Sequence, residues 1–329
     1  MVLKARPRAR LFCAAAILGL SFLALPRAAH AQGAPDIGNP PYEYKYLFPF
    51  WGKRLASRGL TFPLPFGVGI NYAYATQGVD ISSVNVAVND SKFVDLSKIV
   101  KFDHVNSTVK VINGRLDLWL LPFLNVYGLA TWVVDSDTDV LISQPFQLRA
   151  GASQSGFGGG FGTTAAFSFW GIFTVLDMNL AWTKLEKLDK PVRTFLLTPR
   201  AGKRFTLGRK VWLSSWVGAM RQSIQADTQG AIALKDAIDA PEGSLDSKIG
   251  KWAGQAAAAP LLGGLQDPND RNPTIHYQLD KHLSDPWNML IGAEVDLHKR
   301  VQMRMEFGFL GRTQLIAGVC YRFGFIQDD

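Results

Sequence analysis

The sequence predicts an all-β chain: a transmembrane antiparallel up-and-down β-barrel of about ten strands, with eight or twelve as alternatives. Three observations carry that expectation: strict apolar/polar alternation in the last three strand-like stretches, a removable secretory leader, and connections that are alternately short and long. Side chains alternate across a strand, so a period of two gives one apolar and one polar face. In the stretch from Trp287 to Leu297, Trp287, Met289, Ile291, Ala293, Val295 and Leu297 share one face, and only Leu290 breaks the other. Val301, Met303, Met305, Phe307 and Phe309 repeat the pattern against Gln302, Arg304, Glu306 and Gly308, and Leu315, Ala317, Val319, Tyr321 and Phe323 repeat it again, in phase with Phe325.

The leader is residues 1–31. Lys4, Arg6, Arg8 and Arg10 precede an apolar run from Leu11 to Leu25, and Ala29-His30-Ala31 forms a small-x-small cleavage site, so the mature chain is expected to begin at Gln32. The whole sequence carries 35 Lys and Arg against 27 Asp and Glu. Five of the bases (the four above and Arg27) leave with the leader, so the mature chain keeps 30 against 27, a net +3. The basic balance therefore belongs mostly to the discarded segment, and no nucleic-acid partner is expected from it. Cys13 also leaves, which makes Cys320 the one remaining cysteine and excludes an intrachain disulfide. No apolar run beyond the leader approaches the ~20 residues of a membrane helix. A membrane chain of this kind must cross as a closed barrel, because nothing else satisfies its backbone groups in lipid.

The last stretch, Leu315 to Phe325 (LIAGVCYRFGF), resembles the final strand of bacterial outer-membrane β-barrel proteins, which alternates hydrophobics and ends on an aromatic residue. The resemblance implies outer-membrane localisation, outer-membrane lipid as the surroundings, and Tyr321, Phe323 and Phe325 as the signal read by the barrel assembly machinery. Ile326 to Asp329 extend past the usual end of that signal. No subfamily is identified.

Residues 32–65 are expected to form an N-terminal segment before a barrel spanning 66–325. Within it, Tyr42 to Gly59 mixes aromatic and basic residues, which suits a membrane interface, a short plug inside the barrel, or a tether. The first strand starts at Phe66, with Phe66, Val68, Ile70, Tyr72 and Tyr74 on the large face. Val79 to His104 reads as a long polar loop. The second strand, Val105 to Leu120, puts Leu116, Leu118 and Leu120 outward and Arg115 and Asp117 inward; Leu121 to Phe123 turns tightly. The third, Leu124 to Val134, is apolar on both faces, and Asp135 to Gln154 reads as a second long loop. The fourth has Phe157, Phe161, Ala165, Phe167 and Phe169 outward and a glycine-lined inner face, room for a plug or an apolar ligand. Trp170-Gly171 turns into the fifth, where Leu176, Met178, Leu180 and Trp182 oppose Asp177 and Asn179. After Lys184 to Val192 the sixth runs through Phe195 and Ala201 with Arg200 inward, and Pro199 predicts a bulge. Thr206 to Lys210 turns into the seventh, Val211 to Ile224, with Trp212, Trp216 and Met220 on one face. Gln225 to Asp285 is the longest connection, with a helical piece at Ala231 to Ile238. Val84 to Val88 or Thr274 to Leu279 are candidates either to pair as an extra hairpin or to extend one.

Short connections follow strands two, four, six and eight, and long ones follow one, three and seven; the short GRTQ after strand nine is the exception. Outer-membrane barrels have short periplasmic turns and long outer loops, so both termini are expected in the periplasm. The inner face then holds Arg115, Arg200, Arg304 and Arg322 with Asp117, Asp177, Asn179, Glu294, Asp296 and Glu306. Nearly balanced charge favours an interior neutralised by ion pairs, giving either a structural barrel or a narrow, gated, porin-like channel that is not an enzyme. An enzyme acting on lipid or peptide at the outer rim is an alternative, from His104 near Asp103 and Ser107, or from His276 and His282 near Asp280 and Asp285; His298 falls in a periplasmic turn. No catalytic residue is singled out, and no G-x-S-x-G occurs. A hydrophobic-ligand transporter is the second alternative. Asp267, Asn269, Asp270 and Asn272 offer oxygen ligands for calcium, but Pro268 and Pro273 among them make an ordinary turn the stronger reading, so neither a metal nor another cofactor is expected.

Overall fold

The computed structural model describes residues 44–58, 62–89, 92–97, 101–144, 148–186, 188–225, 227–233 and 274–326. The leader and the Asp267 to Pro273 cluster lie outside them. A short helix, α1 (Gly52–Ala56), precedes the strands β1 (Phe66–Val88), β2 (Val94–Asp95), β3 (Lys101–Leu121), β4 (Leu124–Gln144), β5 (Leu148–Phe169), β6 (Ile172–Leu185) and β7 (Val192–Gly208). These are followed by β8 (Val211–Ile224), β9 (Asp227–Ala233), β10 (Thr274–Leu283), β11 (Trp287–Leu297), β12 (Val301–Phe309) and β13 (Arg312–Phe323).

Ten of these strands close an antiparallel barrel in the order β1, β3, β4, β5, β6, β7, β8, β11, β12, β13. Closure is made by β1, which pairs with β3 on one edge and β13 on the other: Phe66 faces both Leu118 and Phe323, and Gln77 faces Arg312. Every ladder is antiparallel, and all join chain neighbours apart from β1–β3, which skips β2, the β8–β11 and β1–β10 pairs and the closing seam. A closed ring leaves no edge strand, which removes the unpaired backbone groups that lipid could not satisfy. The short turns β3–β4, β5–β6, β7–β8 and β11–β12 gather at one end, and Phe66 and Phe323, where the barrel's chain enters and leaves, lie at that same end. At the β5–β6 turn Trp170 and Gly171 both have positive φ, 51° and 76°. Two left-handed residues in a two-residue loop give the turn whose twist matches the flanking strands.

The outer wall is apolar. Val68, Ile70, Leu116, Phe161, Val217, Ile291, Met303, Met305, Phe307 and Val319 are all exposed around it. Aromatic rings mark the two ends of this belt: Trp132, Phe157, Trp182 and Trp287 at the long-loop end, and Phe123, Phe167, Phe169, Phe66, Phe323 and Phe325 at the short-turn end. On β5, Phe157 and Phe169 are separated by ~40 Å of strand at ~3.3 Å per residue, or ~30 Å along the axis for a tilt of ~40°. That height matches the ~30 Å hydrocarbon core of a bilayer, and an aqueous protein has no use for such a band.

Four expectations are corrected above the belt. Val79 to Val88 continue β1 rather than looping, and Lys101 to His104 begin β3. Asp135 to Gln144 continue β4, and Leu148 to Gln154 belong to β5. The connection from Gln225 to Asp285 contains β9 and β10, so Ala231 to Ala233 are strand and not helix; residues 234–238 lie outside the described residues. Polar composition misled at each place because these strands stand beyond the membrane, where neither face meets lipid and the alternation signal vanishes. The extra hairpin has a structural reason. The β12–β13 connection, Leu310 and Gly311, is short, so β1 outruns β13 at Gln77 and would expose an edge; β10 takes over as its partner from Val79↔Leu283 to Val88↔Ile275, and β9 covers β10. On the inner side of this extension lies Lys281, whose ammonium pKa burial pushes down. The bulge expected at Pro199 is also absent: Pro199 pairs in register with Leu176, and the β7–β8 ladder merely skips it, resuming at Arg200↔Gly218 in the same register as Leu197↔Arg221. Proline removes one donor without inserting a residue.

The N-terminal segment docks on the short-turn rim. The Phe50 N–H donates to the Leu120 carbonyl (3.0 Å), Tyr46 bridges to Ile326, and Phe48 packs edge-on against Phe66 with ring centroids 6.0 Å apart. Tyr44, Ala56 and Phe62 form a small buried cluster beside the exposed Leu47, Phe50 and Trp51.

Candidate functional site

The chemistry of the barrel is in its bore. Position parity settles which side chains enter it: along β3, β4, β6, β7, β11, β12 and β13, residues that alternate with the lipid-facing belt point inward. These include Asp117, Asn125, Asp177, Arg200, Asp296, Glu306, Arg312 and Arg322, all buried. Leu290, which breaks the alternation of β11, is only 1 % exposed and packs inside the lumen, where Trp212, Trp216 and Met220 of β8 are buried too. On β4, apolar on both sides, Tyr127 and Asn125 face in and Trp132 faces out.

Glu306 is the hub. Its carboxylate accepts from Arg200 Nε at 2.7 Å and Arg200 Nη2 at 3.1 Å, from Trp216 Nε1 at 2.8 Å, and from Arg304 Nη2 at 3.1 Å. The Arg200 pair is two-pronged, the geometry in which a guanidinium holds a carboxylate best. It also joins β7 to β12, strands that are not neighbours, so it crosses the bore. From Arg200 the network runs to Asp177 (3.8 Å), which accepts from the Tyr127 hydroxyl; the Tyr127 ring carries the Arg115 guanidinium 3.7 Å from its centroid. Arg115 Nη2 donates to Asn125 (3.0 Å), Asn125 Nδ2 to Asp117 (2.7 Å), and Arg322 Nη2 to Asp117 (2.9 Å). Arg322 then donates to Gln302 of β12 (3.2 Å), so the chain of contacts that starts at Glu306 ends on the same strand, and to the Leu64 carbonyl (3.0 Å) below it. Gln302 in turn donates to Asp296 (2.7 Å) and lies 3.4 Å from Glu294, while Asp296 accepts from Arg204.

Of the inward residues named from the sequence, Arg115, Asp117, Asp177, Arg200, Asp296, Arg304, Glu306 and Arg322 thus meet in one linked network, with Glu294 at its margin; Asn179 lines the wall beside Tyr127. Sequence reading missed Tyr127, Asn125, Trp216, Arg204 and Arg312. The first three were hidden by apolar or neutral neighbours, and the two arginines sit in or next to turns by composition; extending strand parity by three residues, past Ala201 and before Leu315, would have found both. Two glycines let the bulky members fit. A Cβ on Gly292 would lie 2.5 to 2.7 Å from the Trp216 indole, and one on Gly162 would run into the Tyr127 phenol. The space over Gly162, open in sequence to a plug or a ligand, is therefore taken by Tyr127.

Of the histidines, His104 begins β3 opposite Leu141, and His298 has positive φ in the β11–β12 turn. His282 lies on β10 opposite Asp80, its Nε2 3.8 Å from the carboxylate, and Ser284 Oγ donates to the same carboxylate at 2.8 Å. The nearest acid is Asp80 rather than the expected Asp280 or Asp285. Serine bonds to the acid and not to the imidazole, so the group lacks the nucleophile-to-base link of a hydrolase triad. Among the described residues no cluster of three or more metal-ligating side chains occurs.

No protein-family model and no curated protein matches the sequence. Solved structures do resemble the fold. The transport unit of the autotransporter AIDA-I from Escherichia coli aligns over 79% of this chain and 90% of its own, with 6% identity and a TM-score of 0.36. The beta domain of the Bordetella autotransporter Brka aligns over 78% and 100%, with 12% identity and a TM-score of 0.33. An outer membrane channel from Pseudomonas putida F1 aligns over 80% and 97%, with 11% identity and a TM-score of 0.31.

Proposed function

We propose that this chain is a non-enzymatic outer-membrane barrel whose bore is a narrow, charge-lined passage held shut by its own ion pairs and opened intermittently. The observation that supports this reading is the chain of contacts that runs from Arg322 through Asp117, Arg115, Tyr127, Asp177 and Arg200 to Glu306, with the Arg200–Glu306 pair reaching from β7 to β12. A ten-stranded bore is only slightly wider than one that side chains fill. A purely structural barrel could be filled more cheaply with apolar groups, since buried ion pairs contribute little net stability; pairs that can exchange partners suit a gate. The short turns and both termini then face the periplasm, and Tyr321, Phe323 and Phe325 serve as the final-strand signal for the assembly machinery.

Planar-bilayer conductance tests the reading. Wild type is expected to open rarely, while Arg200→Ala and Glu306→Gln open more often and with opposite shifts in ion preference, toward cations and toward anions respectively. If wild type and both variants are electrically silent, the passage reading fails and a structural role remains. One observation favours a second reading, an esterase at the outer rim: His282, Asp80 and Ser284 stand together on the outer wall just above the belt. Hydrolysis of phospholipid or lipopolysaccharide esters by wild type, lost in both His282→Ala and Ser284→Ala, would establish it; the expected result is no turnover by any of the three.

A further inference from the structure

Six arginines enter the described lumen: Arg115, Arg200, Arg204, Arg304, Arg312 and Arg322. Five of them lie within 4 Å of a carboxylate, but Arg312 has no acid beside it. Arg312 is only 4 % exposed. Its Nε donates to Gln314 Oε1 at 3.0 Å, and both terminal nitrogens, Nη1 and Nη2, have no partner. Next to it Asn288, 2 % exposed, uses Oδ1 to accept from the Arg312 backbone N–H at 3.1 Å. That bond fixes which way the amide faces, and its Nδ2 is left unpartnered as well.

A buried guanidinium with two idle nitrogens is costly, because a charge removed from water must recover its hydrogen bonds elsewhere. Arg312 sits opposite Gln77, at the top of the closing seam, well above the network around Glu306, so no acid of that network serves it. We infer that Arg312 and Asn288 form a binding site for one oxyanion, a carboxylate or a phosphate, at the long-loop end of the bore. The two terminal nitrogens of a guanidinium match two oxygens of such a group side by side, and the Asn288 amide supplies a third donor. The site balances a positive charge of the inner wall that has no acid within 4 Å. It stands whether or not the bore conducts.

The test is thermal unfolding of the full barrel in detergent at fixed pH and ionic strength, with sodium acetate or sodium phosphate replacing sodium perchlorate. For wild type the midpoint should rise saturably, by about 5 °C at a hundredfold excess of anion over its dissociation constant. Arg312→Gln removes the unpaired charge. In perchlorate it should melt at or above wild type, and the saturable response to acetate and phosphate should vanish; Asn288→Ala should weaken that response without abolishing it. A response to acetate alone, or to phosphate alone, would assign the site to that class. If wild type and Arg312→Gln respond equally, the anions act on the whole surface and the site does not exist. If wild type shows no saturable response to either anion, the proposal is likewise overturned.

Discussion

Replacing Glu306 by Leu is expected to destabilise the folded barrel by about 3 to 5 kcal/mol, the cost of leaving buried charge without its counter-ion. Glu306 is 1 % exposed and receives Arg200, Arg304 and the Trp216 indole, so its loss strands two guanidinium groups and one N–H donor together. Urea unfolding in lipid vesicles measures the change. The double variant Arg200→Met, Glu306→Leu should recover the share of the loss that belongs to Arg200, because removing both members of a buried pair costs far less than removing one, while Arg304 and the Trp216 N–H still lack their acceptor. If the single and double variants are equally unstable, the two residues do not act as a pair.

The second large effect belongs to the outer wall. Ile291→Arg should destabilise by about 2 to 4 kcal/mol, as for a charge near the bilayer midplane. Ile291 is 43 % exposed, faces lipid between Val217 and Phe307, and has no inward route for a guanidinium. Val319→Arg, on the closing seam between Ile70 and Met303, should behave alike. Leu297→Arg, beside the β11–β12 turn, should cost only about 0 to 1 kcal/mol because the penalty falls toward the interface. Arg304→Gln disturbs the bore and carries no lipid penalty. Equal costs at Ile291 and Leu297 would mean that the belt is not in hydrocarbon.

These two substitutions differ in how far the sequence foretold them. The Ile291 side was readable because lipid imposes one rule on every outward residue, and β11, β12 and β13 obey it over their whole length. The inward placement of Arg200, Arg304 and Glu306 follows from the same period of two, while the short turns at one end and a count of about ten strands, with eight or twelve open, came from the lengths of the connections. Leu290 is the instructive exception: it looks like an error in the alternation, yet it is buried in the lumen, where an apolar residue is as acceptable as an ion pair.

What lay beyond the sequence was of two kinds. Above the membrane, β1, β3, β4 and β5 lengthen and β9 and β10 join them, and no periodicity marks these residues because neither face meets lipid. The need for β10 arises from the short β12–β13 connection, a mismatch in strand height across a seam between the first and last strands. Inside the bore, parity said which residues point inward but not which of them meet. Pairing across the lumen depends on stagger: Arg200 and Glu306 lie 106 residues apart and on non-neighbouring strands, and their contact is set by how far each strand is offset around the ring. Alternation along the chain therefore determined the kind of wall and its two faces, and bounded the number of strands that cross at eight to twelve. Only the closed tertiary structure decided that Arg200 meets Glu306, that Tyr127 fills the space over Gly162, and that Arg312 has no acid to meet, because ring closure converts local inward directions into particular distances.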